Sequence, residues 1–235
     1  GIEVVFAASG TDLHLIAAQL TGGTESMPAL IVTVNAAETG SYVPAALAGH
    51  HFSSQASFCE SAIEGVSISS SGTVEVVTVP IRRDDGTPRS VAEVDADFES
   101  LVAGAAKMGR RVLLVLVDVS KTGMIAPSPA CVTRLQSRLP ETLDVLVDAC
   151  QFRIAPSTLL AYLEHDFMVA LTGSKFVTGP TFSGALLIPS AVTLLLRARQ
   201  FPCALGTCST QGDWPQGWDT AGCLDNVANF GLLLR

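Results

Sequence analysis

The chain has 235 residues, of which 48% are hydrophobic and only 15% charged, and its formal net charge is −8. An acidic chain with no Lys/Arg stripe excludes a protein that grips the nucleic-acid phosphate backbone, because that task needs clustered cations. A membrane-spanning helix is excluded as well: it needs about 20 consecutive apolar residues, and the best runs here, such as Val112–Val117, are far shorter and soon meet a charge.

The length suits one substantial α/β domain, or a large domain with part of a second. The chain opens in a β-branched apolar run, Ile2–Ala8, read as a strand, with no basic segment before it of the kind that begins a signal peptide. Thr11–Leu20 reads as a helix closed by Gly22-Gly23. Ala29–Val34 reads as a strand, Val43–Ala48 as a short helix, and Thr73–Ile81 as a strand before the turn Asp84-Asp85-Gly86. Val91–Lys107 has helical periodicity and closes at Gly109. Arg111–Val119 is a strongly apolar strand. Pro129–Leu139 is a helix with proline in its first turn. Leu143–Cys150 (strand), Pro156–His165 (helix), Phe167–Leu171 (strand), Ser183–Ile188 (strand) and Ala191–Gln200 (helix) follow.

Alternation of this kind predicts βαβ units: a doubly wound, mostly parallel sheet with helices on both faces. Its strands, covered on both sides, account for the apolar composition. There is no internal repeat and no low-complexity segment. The chain begins in a core strand and ends in an apolar run, Asn229–Arg235, so the expectation is the ordered core of a longer protein, 1–235 forming one large domain. Six cysteines (Cys59, Cys131, Cys150, Cys203, Cys208 and Cys223) form no CxxC pair. That pattern suits reduced thiols in the cytoplasm better than a disulfide framework or a zinc site, and no metal centre is expected.

In a doubly wound sheet, ligands bind beyond the carboxyl ends of the strands. Five polar clusters stand there: Ser9-Gly10-Thr11, Glu38-Thr39-Gly40, Ser120-Lys121-Thr122-Gly123, Asp148-Ala149-Cys150-Gln151 and Thr172-Gly173-Ser174-Lys175. Ser9-Gly10-Thr11 lies between a strand and a helix. It suits a phosphate at the helix N-terminus, but taken alone it suits a plain helix cap better. Asp148 ends the apolar run Val145–Val147, where a carboxylate is costly without a partner. A protonated pyridine nitrogen is one such partner, and a helix cap or a metal are others. Gln151 could donate to a phenolic oxygen. Lys175, in a half-buried crevice, could act as a nucleophile or form a Schiff base; a lysine after a strand can also be a solvated surface residue. What favours chemistry is that Lys175 stands one helix and one strand after Asp148, so the two end successive strands of one sheet.

The segments VDACQ (147–151) and TGSKFVTGP (172–180) resemble the VDxxQ…SGHKxxGP pattern of the class V aminotransferase and cysteine desulfurase family, whose fold is the pyridoxal-phosphate (PLP) fold type I. The resemblance runs from about Gly1 to Ile188. It implies that Asp148 pairs with the pyridinium nitrogen, that Gln151 contacts the phenolic oxygen, and that Lys175 forms the Schiff base. It gives Thr172 and Ser174 phosphate contacts. The family's phosphate loop resembles Ser9-Gly10-Thr11-Asp12, and Ser120 stands where an asparagine is common. Where many members stack a histidine on the ring, this chain has Thr39, which offers a methyl and a hydroxyl but no imidazole. Arg153, His50 and His51 are further candidates for substrate contact, each with an ordinary surface reading beside it.

The expected function is therefore that of a PLP-dependent enzyme acting on a small amino acid or amine, catalysed by Lys175 and Asp148, with transamination first. The resemblance implies a homodimer with the site at its interface. A PLP-dependent lyase or desulfurase would use the same core residues. A degenerate, non-catalytic domain of the same fold is the third reading, and the intact Asp148, Gln151 and Lys175 argue against it.

Overall fold

A computed structural model describes residues 1–23, 26–57, 61–68, 74–181, 183–197 and 201–226. Seven strands form one sheet in the order β1-β7-β6-β5-β4-β2-β3. They are β1 (Ile2–Ala7), β2 (Ala29–Val34), β3 (Val74–Val79), β4 (Val112–Val117), β5 (Leu143–Ala149), β6 (Met168–Thr172) and β7 (Gly184–Pro189). The helices are α1 (Gly10–Thr21), α2 (Val43–Leu47), α3 (Val91–Lys107), α4 (Pro129–Arg138), α5 (Pro156–Glu164) and α6 (Ser190–Leu196). The expected elements are all present, with ends moved by a residue or two. Thr73, the 198–200 end of the last predicted helix, Cys59 and the run Asn229–Arg235 lie outside the described residues.

Every residue of β2 and β4 is buried. A strand can hide all its side chains only when helices cover both faces of its sheet, which is why these segments are unbroken runs of apolar and β-branched residues. α3 shows the complementary pattern: Val94, Phe98, Val102 and Ala105 are its buried positions, one stripe at helical spacing.

Five strands along the middle and far side of the sheet pair in parallel: β3 with β2, β2 with β4, β4 with β5, and β5 with β6. β7 runs against both of its neighbours, β6 and β1. Among the described residues the connection from β6 to β7 contains no helix. A parallel return requires a crossover of a dozen or more residues, usually a helix, so the chain turns back on itself instead. Because β1 also opposes β7, its carboxyl end lies on the same edge as those of β2, β4, β5 and β6.

The segment after α6, to which the sequence assigns no helix or strand, packs through aromatic rings. Phe201 and Trp214 lie 4.7 Å apart between centroids, and Trp214 and Trp218 lie 5.3 Å apart. Trp218 donates its indole N–H to Glu3 on β1. No helix among the described residues is long and apolar enough to cross a membrane.

Candidate functional site

The carboxyl edge of the sheet gathers the predicted residues because four parallel strands end there with polar turns. Asp148 is the penultimate residue of β5 and is only 6% exposed. Its Oδ1 accepts the backbone N–H of Cys150 at 3.1 Å, and its Oδ2 accepts the hydroxyl of Thr39 at 3.0 Å. Thr39 is thus brought to Asp148 from the end of β2, but its hydroxyl proton is spent on the carboxylate. Thr39, Lys121, Asp148, Cys150, Gln151 and Lys175 line one cleft with about 250 Å³ of empty space.

A residue that the sequence reading passed over completes this arrangement. His14, on the second turn of α1, is 1% exposed. Its Nε2 lies 3.3 Å from Asp148 Oδ2, and its Nδ1 lies 2.6 Å from the carbonyl oxygen of Gly10. Burial alone would push the Asp148 carboxyl up. The charge of His14 and the bond from Cys150 outweigh it and hold the group well below the usual carboxylate range. Burial likewise depresses His14, and the Asp148 charge more than reverses that, so its pKa is raised. A single histidine in a helix carries no sequence signal for such a role, since the partner is supplied by a strand at the centre of the sheet.

The first turn of α1 abuts the same residues. Ser9 caps the helix by accepting Asp12 N–H at 3.2 Å, and its hydroxyl donates to Asp12 Oδ2. Gly10 packs so closely that an added Cβ would fall 2.7 Å from Cys150 Sγ and 3.2 Å from Thr172 Cγ2. The helix N-terminus, with Gly10 and Thr11, therefore sits directly beside the β5 and β6 ends, where an anion would meet its free N–H groups. Asp12 is buried, and desolvation raises its pKa against the bonds from Ser9 and Ser57.

Other candidates are placed differently. Thr172 is buried and donates its hydroxyl to the Cys150 carbonyl at 2.7 Å. Its proton therefore holds β6 to the β5 turn rather than pointing outward. Ser120 is buried, and its hydroxyl goes to Glu38 Oε2 at 2.8 Å. Glu38 also takes Thr122 at 2.5 Å and Arg82 at 2.8 Å, and its backbone carbonyl accepts Lys121 N–H at 2.8 Å. Burial raises Glu38, but these bonds win and its pKa is lowered. This cluster clamps the β2 and β4 ends together. Ser174 is exposed, and Arg153 stacks its guanidinium 5.4 Å from the centre of the Phe176 ring. His51 lines a separate pocket with Asp12, Ser57 and Cys208, and His50 bridges to Ser67. Among the described residues no cluster of histidine, cysteine and carboxylates could hold a metal ion.

The chain's lysines are Lys107, Lys121 and Lys175. Lys107 ends α3, before β4, at the opposite edge of the sheet. Lys121 lines the cleft but gives its ammonium to the Ala36 carbonyl at 3.3 Å. Lys175 borders the same cleft as Asp148, but it is exposed rather than half-buried as the sequence suggested, because it stands in the turn beyond β6, and among the described residues its ammonium makes no hydrogen bond or ion pair.

Comparison with solved structures finds this architecture in PLP-dependent enzymes of fold type I. TDC of Oryza sativa, solved with PLP and tryptamine, aligns with a TM-score of 0.54 over 87% of this chain and 40% of its own, at 11% identity. An SPT variant solved with PLP aligns with a TM-score of 0.51 over 95% of this chain and 46% of its own, at 16% identity. The chain thus spans less than half the length of either, and the likeness is one of fold. No family model matches the sequence, and no curated protein does.

Proposed function

We propose that this chain is the PLP-binding core of an enzyme acting on an amino acid or amine, with Lys175 as the amine that holds the cofactor and transamination as the reaction. One observation carries the reading: a buried carboxylate, an amide and an amine, from Asp148, Gln151 and Lys175, share one cleft beside a helix N-terminus. This donor set fits the group. The N–H groups at Gly10 and Thr11 suit its phosphate, Gln151 its phenolic oxygen, Asp148 its ring nitrogen and Lys175 its aldehyde carbon.

When bound, PLP supplies an electron-withdrawing pyridinium ring and an aldehyde that condenses with amines. Asp148, held ionised, would keep the ring nitrogen protonated. Lys175 Nζ would hold the aldehyde carbon and, when freed, would be the group that moves a proton from the substrate α-carbon. Thr39 cannot share that work, because its proton is engaged at Asp148. The VDACQ and TGSKFVTGP segments support a place in the class V group. Phe176 and Val177, 62% and 50% exposed next to Lys175, support a second copy of the chain covering this edge. Free thiols at Cys131, Cys150, Cys203, Cys208 and Cys223 support the cytoplasm as its location.

The test is borohydride fixation of the protein loaded with PLP, followed by peptide mapping. The label is expected on Lys175; a label on Lys121 or Lys107 overturns the assignment. A screen of amino acids then reads the reaction. Loss of the yellow band with formation of pyridoxamine phosphate supports transamination. An amine or persulfide product without pyridoxamine phosphate moves the reading to a lyase.

A further inference from the structure

Each ring nitrogen of His14 faces an acceptor: Nδ1 the Gly10 carbonyl at 2.6 Å, and Nε2 the Asp148 carboxylate at 3.3 Å. A neutral imidazole carries one N–H and one lone pair. With the proton on Nδ1, the Nε2 lone pair would face a carboxylate in a site closed to water; among the described residues Nε2 makes no hydrogen bond, and the Asp148 carboxylate at 3.3 Å is an ion-pair contact. With the proton on Nε2, the Nδ1 lone pair would be pressed against a carbonyl oxygen. Only the doubly protonated ring satisfies both contacts, so His14 and Asp148 form a buried ion pair. The neighbouring groups agree with this. The Lys175 charge opposes the imidazolium, weakly compared with Asp148. Cys150, beside the carboxylate, has its thiol pKa pushed up by burial and by the Asp148 charge, so it adds no second anion.

We propose that His14 is a positioning residue for Asp148: a buried imidazolium that keeps the carboxylate ionised, fixes its orientation toward the cleft, and tethers it through the Gly10 carbonyl to the first turn of α1. The role rests on reading Asp148 as the partner of the cofactor's ring nitrogen. A carboxyl group removed from water would otherwise take up a proton, and a neutral acid cannot pair with a pyridinium. The tether matters as much as the charge. His14 follows Gly10 by one helical turn, so one imidazole joins the helix end suited to a phosphate with the carboxylate suited to a ring nitrogen, the two ends of a single ligand.

The experiment has two arms on the full chain. In the first, nitrogen-15 NMR of the cofactor-free protein at pH 8 reads the protonation of His14, one of four histidines. Both ring nitrogens are expected to carry protons; a singly protonated His14 overturns the proposal. In the second, PLP affinity is titrated from pH 8 to pH 5.5 for the wild type, His14→Gln and His14→Phe. Without the imidazolium, Asp148 should protonate within this range, so the ratio of variant Kd to wild-type Kd should grow as pH falls, by up to about tenfold per unit, the limit for one proton. A purely structural histidine would give a ratio independent of pH, and that result overturns the proposal even though PLP binds. Two variants are used because one of them can fail to fold, and the NMR arm needs neither. If the wild type binds no PLP at all, the proposed function fails and this role falls with it, an outcome separate from either failure above.

Discussion

Asp148 stands where an unpaired carboxylate would be costly, and three groups make its charge tolerable: His14, Thr39 and the Cys150 N–H. If its task is to hold the ring nitrogen protonated, Asp148→Asn should retain bound PLP while kcat falls by on the order of 10²-fold, the scale of a lost electrostatic contact made in the transition state. Single-turnover kinetics on the loaded variant would measure this, and a wild-type kcat would remove the pyridinium role. Gly10 makes a different kind of prediction. With a Cβ placed 2.7 Å from Cys150 Sγ, Gly10→Ala should cost about 1–3 kcal/mol through overpacking. Cys150→Ala in the same chain should recover part of that loss, because the two sites are in direct contact and their effects are not additive. Urea unfolding of the single and double variants reads both numbers. Gly10 could be suspected from sequence as a turn before a helix. That its neighbour is Cys150 could not, since the contact joins the end of the edge strand β1 to the end of the central strand β5, far apart in the chain.

Among the elements, α3 is the most completely specified by its own residues. Ser90 accepts Glu93 N–H at 3.2 Å while Glu93 accepts the Ser90 N–H at 2.8 Å, a reciprocal cap that satisfies two of the free donors of the first turn. Ser90→Ala should therefore destabilise the protein by about 1 kcal/mol and lower Tm by roughly 2–4 °C, with no effect on PLP affinity, since α3 carries none of the residues lining the cleft. A calorimetric scan with a parallel PLP titration checks both halves. β2 and β4 were equally plain, because an apolar run that must be covered on both faces leaves no place for a charge. The direction of β7 was less so: it depends on the absence of a crossover between Thr172 and Gly184, which composition signals only faintly. The turns Cys203–Thr207, Gln211–Asp213 and Asp219–Cys223 have too few residues to show a period, so the packing of their tryptophans against β1 was illegible.

For the whole molecule, the buried pair sets a dependence of stability on pH. Asp148 has a lowered pKa, so its contribution is present above the ordinary value of 3.8 and is lost only as pH falls through the lower folded value. His14 has a raised pKa, so its contribution is full below the ordinary 6.5 and is lost as pH climbs through the raised folded value. The two together favour the folded state most between about pH 4 and 6.5. The urea midpoint of the cofactor-free protein should accordingly be higher at pH 6 than at pH 9, and the difference should shrink in His14→Gln. An equal difference in the variant would assign the pH dependence to other groups.

The sequence by itself determined the elements and the edge at which the chemistry would gather. Hydrophobic periodicity is local, and the rule that ligands lie beyond strand ends needs only the order of strands and helices. It also placed Thr39, Asp148, Gln151 and Lys175 in one crevice, because residues that end strands of one parallel sheet must share an edge. What only the tertiary structure decided is how each proton is used. Thr172 turns its hydroxyl to Cys150, Ser120 to Glu38 and Thr39 to Asp148, and His14 reaches the carboxylate from a helix that precedes it by more than half the chain. Hydrogen bonds and ion pairs act over about 3 Å and depend on direction, so they are fixed by how helices seat on the sheet, and no pattern along the chain encodes that seating.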